Sequence, residues 1–406
     1  MRTRYLAISA VSLAVALSAC GSGSGSSNPP SLNEALQAGS CHQDATTSAY
    51  SNSFADASKL SSITPLGAMS RTHVTPIDHI YVNYPPVEGA PMAPSGLPAG
   101  TYNITSPADG WIVNVQDFKA TNEYPYPDYR VVIEHSCNLY SVFIHVGELQ
   151  GAAKAAMGKE SWKGSIPVKA GEVIADDSAN PGFDFSTFDA TKNVSFINPS
   201  SYASQDSWKI HTVNPLDYMP ADVKTQLEAK SLRSVAPVGG TIEYDKAGTA
   251  QGSWFVKDTN GYTGKGGNAA NYSSTGDGVS HGYWDTHLAM APNNIDPKAF
   301  IYSVGDWAGC PCQFMSVGNI DPASITASTK PTVLELVRGT AVNPDGSVMD
   351  ENRPVKGFSL KASNKIEGLL AIQVNEDGTM TVQKMPGAKS KAEFTGFTKE
   401  ALTYVR

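Results

Sequence analysis

The stretch Ser106-Pro-Ala-Asp-Gly-Trp-Ile-Val-Asn-Val115 decides how the first half of this chain is expected to fold. A later stretch, Ile166-Pro-Val-Lys-Ala-Gly-Glu-Val-Ile-Ala175, repeats its pattern of apolar residues around a glycine. Each stretch predicts two strands that meet at a glycine turn, because β-branched residues favour strands. Between them, Tyr129–His135 and Leu139–Val146 predict a second strand pair with a short turn. The first half is therefore expected to be antiparallel β structure.

The composition is typical of soluble globular proteins. Of the 406 residues, 41% are hydrophobic and 17% are charged, so the chain is long enough for two domains with separate cores. The formal net charge is −8, and the sequence has no run of Lys and Arg. Nucleic acid is therefore not expected as a partner, because binding phosphate requires clustered positive charge.

The order of elements divides the chain into five segments. These are a signal peptide (1–19), a tether and N-terminal arm (20–62), a β domain (63–220), a linking helix (221–233) and a second β domain (234–406). The last segment contains short strands, of which Gly240–Tyr244 is the first, and a hairpin that turns at Asp377-Gly378. Its spacing predicts a small barrel or sandwich. The expected fold class is mainly β, an antiparallel β-sandwich followed by a second small β barrel or sandwich.

The N-terminus has the features of an export signal. Two arginines precede the apolar run Leu6–Leu17, which is too short to span a membrane. The following Leu17-Ser-Ala-Cys20 resembles the lipobox of bacterial lipoproteins, which implies cleavage before Cys20 and a lipid on its sulfur; the alternative is an ordinary secretory peptide. The resemblance implies a cell-envelope protein anchored to a membrane. In a Gram-negative cell, Gly21 would favour the outer membrane, facing the periplasm.

The remaining cysteines are expected to form disulfides in an exported protein. Four cysteines allow three pairings. We expect Cys41 to pair with Cys137 and to fasten the arm to the first domain, because Cys310 and Cys312 are close together and distant from both. For Cys310 and Cys312 the sequence leaves open a loop disulfide, two free thiols or a redox site.

Potential metal ligands are densest in Met69–Tyr84, which contains His73, Asp78 and His79. With the strands described above, this segment resembles part of the lysostaphin-type, or LytM-type, zinc endopeptidases, which cut peptide cross-bridges in bacterial cell walls. The resemblance covers roughly residues 70–220 and implies a β-sandwich known as the duplicated hybrid motif. Six segments carry it in the family's order: His73–Asp78, Ser106–Val115, the strands with Glu134-His135 and Ile144-His145, Val168–Ile174, Phe183-Asp-Phe185 and Asn214–Tyr218.

The resemblance implies a degenerate active site. A hydrolytic zinc requires three protein ligands, a water position and a base. His73 stands five residues before Asp78, whereas the family has its first ligand four before, where this chain has Val74. Asp184 replaces the third ligand and Gly182 replaces a catalytic histidine, while His145 keeps its place as an active-site histidine. The implied metal ligands are Asp78, Asp184 and either His73 or His79, holding zinc or a harder cation; the alternative is a polar remnant without metal.

Three functions remain open at this stage. The first is binding or scaffolding at the cell wall, on peptidoglycan or a cell-wall hydrolase, without peptidase activity. The second is an active metal-dependent hydrolase. The third is carbohydrate or protein binding by the second domain, where His281–Leu288 contains Trp284 beside a carboxylate. For Trp284, a place in the core is the competing interpretation.

Overall fold

The computed structural model describes residues 30–85, 97–118, 126–157, 161–180, 182–265 and 282–406. The expected signal peptide, Cys20 and the start of the tether lie outside these residues. In the described part of the chain, no helix is long and apolar enough to cross a membrane. The fold is mainly β, as the sequence predicts: antiparallel sheets dominate and the helices are short.

A large antiparallel sheet forms the first half of the described chain. Its strands run in the order β1-β2-β10-β6-β5-β4-β8, and β11 also pairs with β10. The predicted pair of central strands is present as β5 and β6. The strands are β1 (Ser62–Thr64), β2 (Ile80–Asn83), β4 (Gly110–Asp117), β5 (Tyr129–Glu134), β6 (Leu139–Val146), β8 (Ser161–Val168), β10 (Gly182–Asp189) and β11 (Thr212–Val213).

A smaller sheet of β3 (Asn103–Thr105), β9 (Val173–Asp176) and β7 (Glu148–Leu149) packs on the large one, with helix α2 (Gly151–Ala156) beside it. Each of the two glycine stretches joins the layers, because β3 leads into β4 and β8 leads into β9. Gly171, with a φ of 79°, forms the second of these turns. The stretches lie side by side, since β3 pairs with β9 and β4 pairs with β8.

The main core lies between the two layers. One face of the large sheet supplies most of its side chains, and the small sheet covers them. This face is called the core face below, and the opposite face of the large sheet is called the outer face. Buried apolar residues on the core face include Ile112, Val131, Ile133, Phe143, Phe183 and Phe185, which meet Ile104, Leu149 and Ala175 of the small sheet.

The N-terminal arm packs on the outer face. Helix α1 (Leu32–Ala35) leads to Leu36, which shares a buried cluster with Phe188. Farther along, Tyr50 and Phe54 enter the main core. The arm is thus part of the first β unit, although its small polar residues gave only weak signals in the sequence. Cys41 is bonded to Cys137, the pairing preferred from the sequence, and Cys310 is bonded to Cys312.

The second half closes into an antiparallel barrel of eight strands among the described residues. Its interior is filled by side chains that include Trp254, Leu288, Tyr302, Phe314, Leu370 and Tyr404. The strands are β12 (Gly252–Val256), β13 (His287–Pro292), β14 (Phe300–Val304), β15 (Cys312–Ser316), β16 (Thr332–Val342), β17 (Ser359–Val374), β18 (Met380–Pro386) and β19 (Leu402–Val405).

Two details between the halves differ from the sequence prediction. The linking helix is shorter than expected: α3 spans Ala221–Lys230, and its Leu227 is buried in the main core. The prediction of a strand at Gly240–Tyr244 is wrong. Gly240 forms only an isolated β-bridge with Leu66, and Ile242 is buried in the core of the first unit. The apolar side chains of this segment close that core instead of joining the barrel.

The disulfide that holds the arm generates a stability prediction. Replacing Cys41 and Cys137 together by serine should lower the free energy of unfolding by about 2–5 kcal/mol, because the bond restricts a long loop in the unfolded chain. Urea unfolding measures the loss. Serine at both Cys310 and Cys312 is the matched control and should cost far less, since those residues are only 2 apart in sequence. Equal losses in the two variants would contradict this account.

Candidate functional site

A cleft of about 410 Å³ opens on the outer face of the large sheet. Strands β6 and β10 form its floor, and α1 and the two residues after it form one wall. The first three residues of a 3₁₀ turn that spans Ser207–His211 form a second wall. Tyr262 and Tyr283 from the barrel half reach the same cleft. The cleft is therefore built from the N-terminal arm, the first β unit and the barrel half.

The structure brings the five predicted site residues together in this cleft. They are His73, Asp78, His79, His145 and Asp184. Asp78 and His79 directly precede β2, which pairs with β10, and β10 carries Asp184. On the other side β10 pairs with β6, which carries His145. The sheet register, not proximity in sequence, makes these side chains neighbours.

His145 owes its orientation to a β-bulge. Across β5 and β6, Tyr129 pairs with Val146 and Arg130 pairs with Ile144, so His145 is the extra residue between them. Its φ is 64°, a left-handed conformation that non-glycine residues seldom adopt. Bulges redirect side chains and are common beside active sites. Here the bulge turns the imidazole towards Asp128 and Asp184.

The side chains form a chain of alternating acids and bases. The Nδ1 atom of His79 lies 3.4 Å from Oδ1 of Asp78, and its Nε2 lies 3.3 Å from Oδ2 of Asp184. The same Asp184 oxygen is 3.9 Å from Nε2 of His145. Beyond it, Nδ1 of His145 lies 3.1 Å from both carboxylate oxygens of Asp128. The ring of His73 meets His79 edge-on at 5.8 Å between centroids.

Lys209 is the most deeply placed charge among the cleft residues that the sequence did not single out. Its Nζ lies 3.1 Å from Oδ1 of Asp78, and its side chain is only 5% exposed. The neighbouring Trp208 donates from Nε1 to Oδ2 of Asp78 at 2.8 Å. The ammonium of Lys209 also lies 5.3 Å from the centre of the Tyr262 ring. A lysine and a tryptophan thus occupy both oxygens of the carboxylate that was predicted to bind a metal.

The buried charges shift several pKa values. Burial alone would raise the pKa of Asp78, but Lys209 and His79 outweigh it and hold this pKa well below its usual range. Burial also raises the pKa of Asp184, although His79 and His145 oppose the rise. For His73, burial and the nearby His79 and Lys209 lower the pKa to about 3, so its imidazole is neutral. The Asp78 carboxylate is therefore ionised across the ordinary pH range.

His145 has the opposite shift. Burial disfavours its charged form, but the hydrogen bond to Asp128 and the nearby Asp184 outweigh burial and raise the pKa to about 9. The imidazole is therefore a cation at neutral pH. Asp128 directly precedes the predicted strand Tyr129–His135, and its place at a strand start was the only signal for it in the sequence.

The residues present do not fit the zinc site that the sequence suggested. Among the described residues, no group of three His, Cys, Asp or Glu side chains is arranged to hold a metal ion. Asp78 stands at the aspartate ligand position that the resemblance implies, yet its oxygens already accept from Lys209 and Trp208. A divalent cation at this point would face an ammonium group in the same buried space.

Two other predicted features lie outside the cleft. His135 is buried under the sheet, with Nδ1 3.0 Å from the Asp109 carbonyl oxygen and Nε2 2.6 Å from Oγ of Ser141, so it is a structural histidine. Trp284 is 1% exposed and packs against residues of both halves. The core interpretation of Trp284 is thus confirmed, and its ring offers no face to a sugar. His281 lies outside the described residues.

Comparison of the chain with protein-family models, with curated proteins and with solved structures gives no match.

The buried ion pair generates a stability prediction. Lys209→Met should cost about 3–5 kcal/mol in the free energy of unfolding, because it leaves the buried Asp78 carboxylate without its cation. Combining it with Asp78→Asn should recover most of that loss. Lys224→Met is the control: its partner Asp217 is half-exposed, and the expected cost is about 1 kcal/mol or less. Urea unfolding compares the three variants with the unmodified protein, and an effect of Lys209→Met no larger than the control would contradict the prediction.

The raised pKa of His145 generates a pH prediction. A pKa that is higher in the folded state stabilises the fold below the ordinary histidine value of about 6.5. The contribution is then lost as the pH rises through about 9. The difference in unfolding free energy between the unmodified protein and His145→Gln should therefore shrink between about pH 6 and about pH 10. Asp128→Asn should reduce the same pH dependence, and a constant difference would refute the pairing.

Proposed function

We propose that the protein is a lipid-anchored protein of the cell envelope whose first β unit is a degenerate LytM-type domain that binds a cell-wall ligand without cutting it. One observation carries the proposal: the ammonium of Lys209 lies against Asp78, where a hydrolase of this type would hold its metal. The cation that balances the acidic residues is thus part of the polypeptide. A lysine balances charge but cannot activate water as a zinc ion does.

The convergence of the candidate residues supports the resemblance. Asp78, His145 and Asp184 are far apart in sequence, yet all three line one cleft. An unrelated β protein would have no reason to bring these positions together. The resemblance was drawn from the order of short motifs, and the cleft gives those motifs a common location. This supports descent from a peptidase-like ancestor.

Gly182 supports the proposal that the domain does not cut its ligand. It stands where the resemblance has a catalytic histidine, and its φ is 151°, where side chains are strained. A Cβ atom at this position would lie 2.2 Å from the carbonyl oxygen of Val82, on the neighbouring strand β2. The close approach of β2 to β10 leaves no room for an imidazole. Replacing Gly182 by histidine would therefore not restore a catalytic base, because the backbone of β2 occupies the space that its side chain needs.

The charge pattern of the cleft favours a ligand with both signs of charge. Asp206, Lys209, Arg130 and the protonated His145 line it together with apolar residues. The stem peptides of peptidoglycan carry free carboxylates and amines, which such a lining can pair. Complementary charges of this kind contribute to specificity and to the rate of association.

Binding and cutting can be separated on isolated peptidoglycan. The full-length protein should sediment with peptidoglycan and release no soluble fragments. The double variant Asp78→Asn with Lys209→Met, which removes the charges but keeps their shapes, should bind about tenfold more weakly or worse. Lys224→Met, at a surface ion pair, should bind normally. Fragment release that disappears in Asp78→Ala and in His145→Ala would overturn the proposal, as would the absence of binding.

A second candidate, an active metal-dependent hydrolase, is favoured by one observation. His145 is oriented by Asp128 at 3.1 Å, an arrangement that active sites use to hold a histidine for proton transfer. In this case the protein would bind one equivalent of zinc, and Asp184→Ala would abolish that binding. If the first candidate is correct, zinc affinity should instead rise when Lys209→Met removes the competing ammonium. Isothermal titration with zinc distinguishes the two.

A further inference from the structure

The outer face of the large sheet carries a second group of side chains that neither candidate function uses. Oγ of Ser165 lies 2.7 Å from Nε2 of His42. On the other side of the same ring, Nδ1 lies 3.1 Å from Oε1 of Glu134. The order is serine, histidine, carboxylate, with each link at hydrogen-bond distance. We propose that Ser165, His42 and Glu134 form a nucleophilic triad that hydrolyses small acyl esters.

The sheet explains how three residues from distant parts of the chain meet. Glu134 on β5 and Pro167 on β8 both pair with Trp111 on the strand between them. The ring of His42 stacks on Trp111 at 4.0 Å with an angle of 6° between planes. His42 therefore lies across the middle strand on a flat aromatic floor and spans from Glu134 to Ser165. Stacking leaves both ring nitrogens at the edges, facing their partners.

Glu134 fits the role of the group that orients the histidine. Its side chain is 0% exposed, and Oε1 accepts from the main-chain N–H of His42 at 2.6 Å as well as facing the ring. Its other oxygen has no hydrogen-bond partner among the described residues. A buried carboxylate so placed fixes Nδ1–H as the donor and leaves Nε2 free to accept the serine proton. It would also stabilise the imidazolium that forms when the serine reacts.

His42 is held in place on both sides along the chain. Its neighbour Cys41 is bonded to Cys137, three residues after Glu134. Thr46 forms an isolated β-bridge with Ser136 in the same turn. The arm is thus fastened to the sheet close to the histidine. Such fixation is what a proton-transfer group requires, because a small displacement reduces the rate strongly.

Ser165 fits the role of the nucleophile. It is exposed and lies where the ladder of β4 and β8 shifts register: Ile112 pairs with Ile166, but Asn114 pairs with Lys163. Strand β8 has one residue more than β4 across this step, which is a β-bulge. β8 is also the last strand of the sheet, so one side of its main chain lacks a strand partner in the described chain. Free N–H groups of that kind can stabilise an oxyanion.

The chemistry balances with water as the only co-reactant. Ser165 Oγ forms a bond to the ester carbonyl carbon while its proton passes to His42 Nε2. The bond from carbon to the alcohol oxygen then breaks, and His42 returns the proton to the departing alcohol. Water attacks the acyl-serine in the same way, which releases the carboxylic acid and restores the serine. The site lies on an open surface, so it suits short acyl groups that need no deep pocket.

Labelling with a fluorophosphonate probe tests the triad on the full-length protein, together with hydrolysis of p-nitrophenyl acetate. The probe should modify Ser165, as located by mass spectrometry of the peptides. Ser165→Ala should abolish labelling, and His42→Gln should lower its rate by about a hundredfold or more, because the general base is lost. Glu134→Gln should lower the labelling rate similarly, since glutamine keeps the shape of the side chain but removes its charge.

Matched controls separate catalysis from structure. Ser58→Ala and His211→Gln remove a serine and a histidine from other parts of the surface and should leave labelling unchanged. Melting temperatures identify any variant that fails to fold. If the cluster only fastens the arm, the unmodified protein will resist the probe at Ser165, and that result overturns the proposal. Labelling of Ser165 that is equally fast in His42→Gln also overturns it. Neither outcome depends on peptidoglycan binding.

Discussion

The ion pair between Asp78 and Lys209 is the interaction on which the site depends. It joins the loop before β2 to the 3₁₀ turn Ser207–His211, and the Tyr262 ring from the barrel half covers the ammonium. Charges this deeply buried are stable only as a pair, because each alone would lose its hydration without compensation. The pair therefore holds three parts of the chain in one arrangement. The pair also determines the charge inside the cleft, since it places the ammonium of Lys209 there.

Much of the fold could be predicted from the sequence, because it depends on local patterns. The β5 and β6 strands follow from their content of β-branched residues, and the turn at Gly171 follows from a backbone conformation that favours glycine. The segment Gly240–Tyr244 has a similar pattern and yet forms no strand. Its apolar residues are buried by another part of the chain, and a local pattern does not reveal which surface will bury a residue.

In the candidate site, too, some features follow from local sequence and others arise only in the folded chain. His145 and Asp184 could be singled out because they stand in short motifs that carry the resemblance. Lys209 could not, because it lies in a short turn and meets Asp78 only in the folded chain. Nor could the bulge that gives His145 its φ of 64° be predicted. A bulge changes which face a side chain occupies without changing the residues of the strand.

The N-terminal arm explains how the outer face comes to carry two polar clusters. An uncovered sheet face of this size would expose an apolar surface, and α1 with Leu36 covers part of it. The arm leaves the ends of the face open, and it contributes to each end: α1 forms a wall of the cleft, and His42 lies beside Ser165. The disulfide between Cys41 and Cys137 fixes this placement. An arm that reads in sequence as a spacer thus converts one face of a β-sandwich into two distinct polar sites. Each site contains a histidine oriented by a buried carboxylate, Asp128 in one and Glu134 in the other.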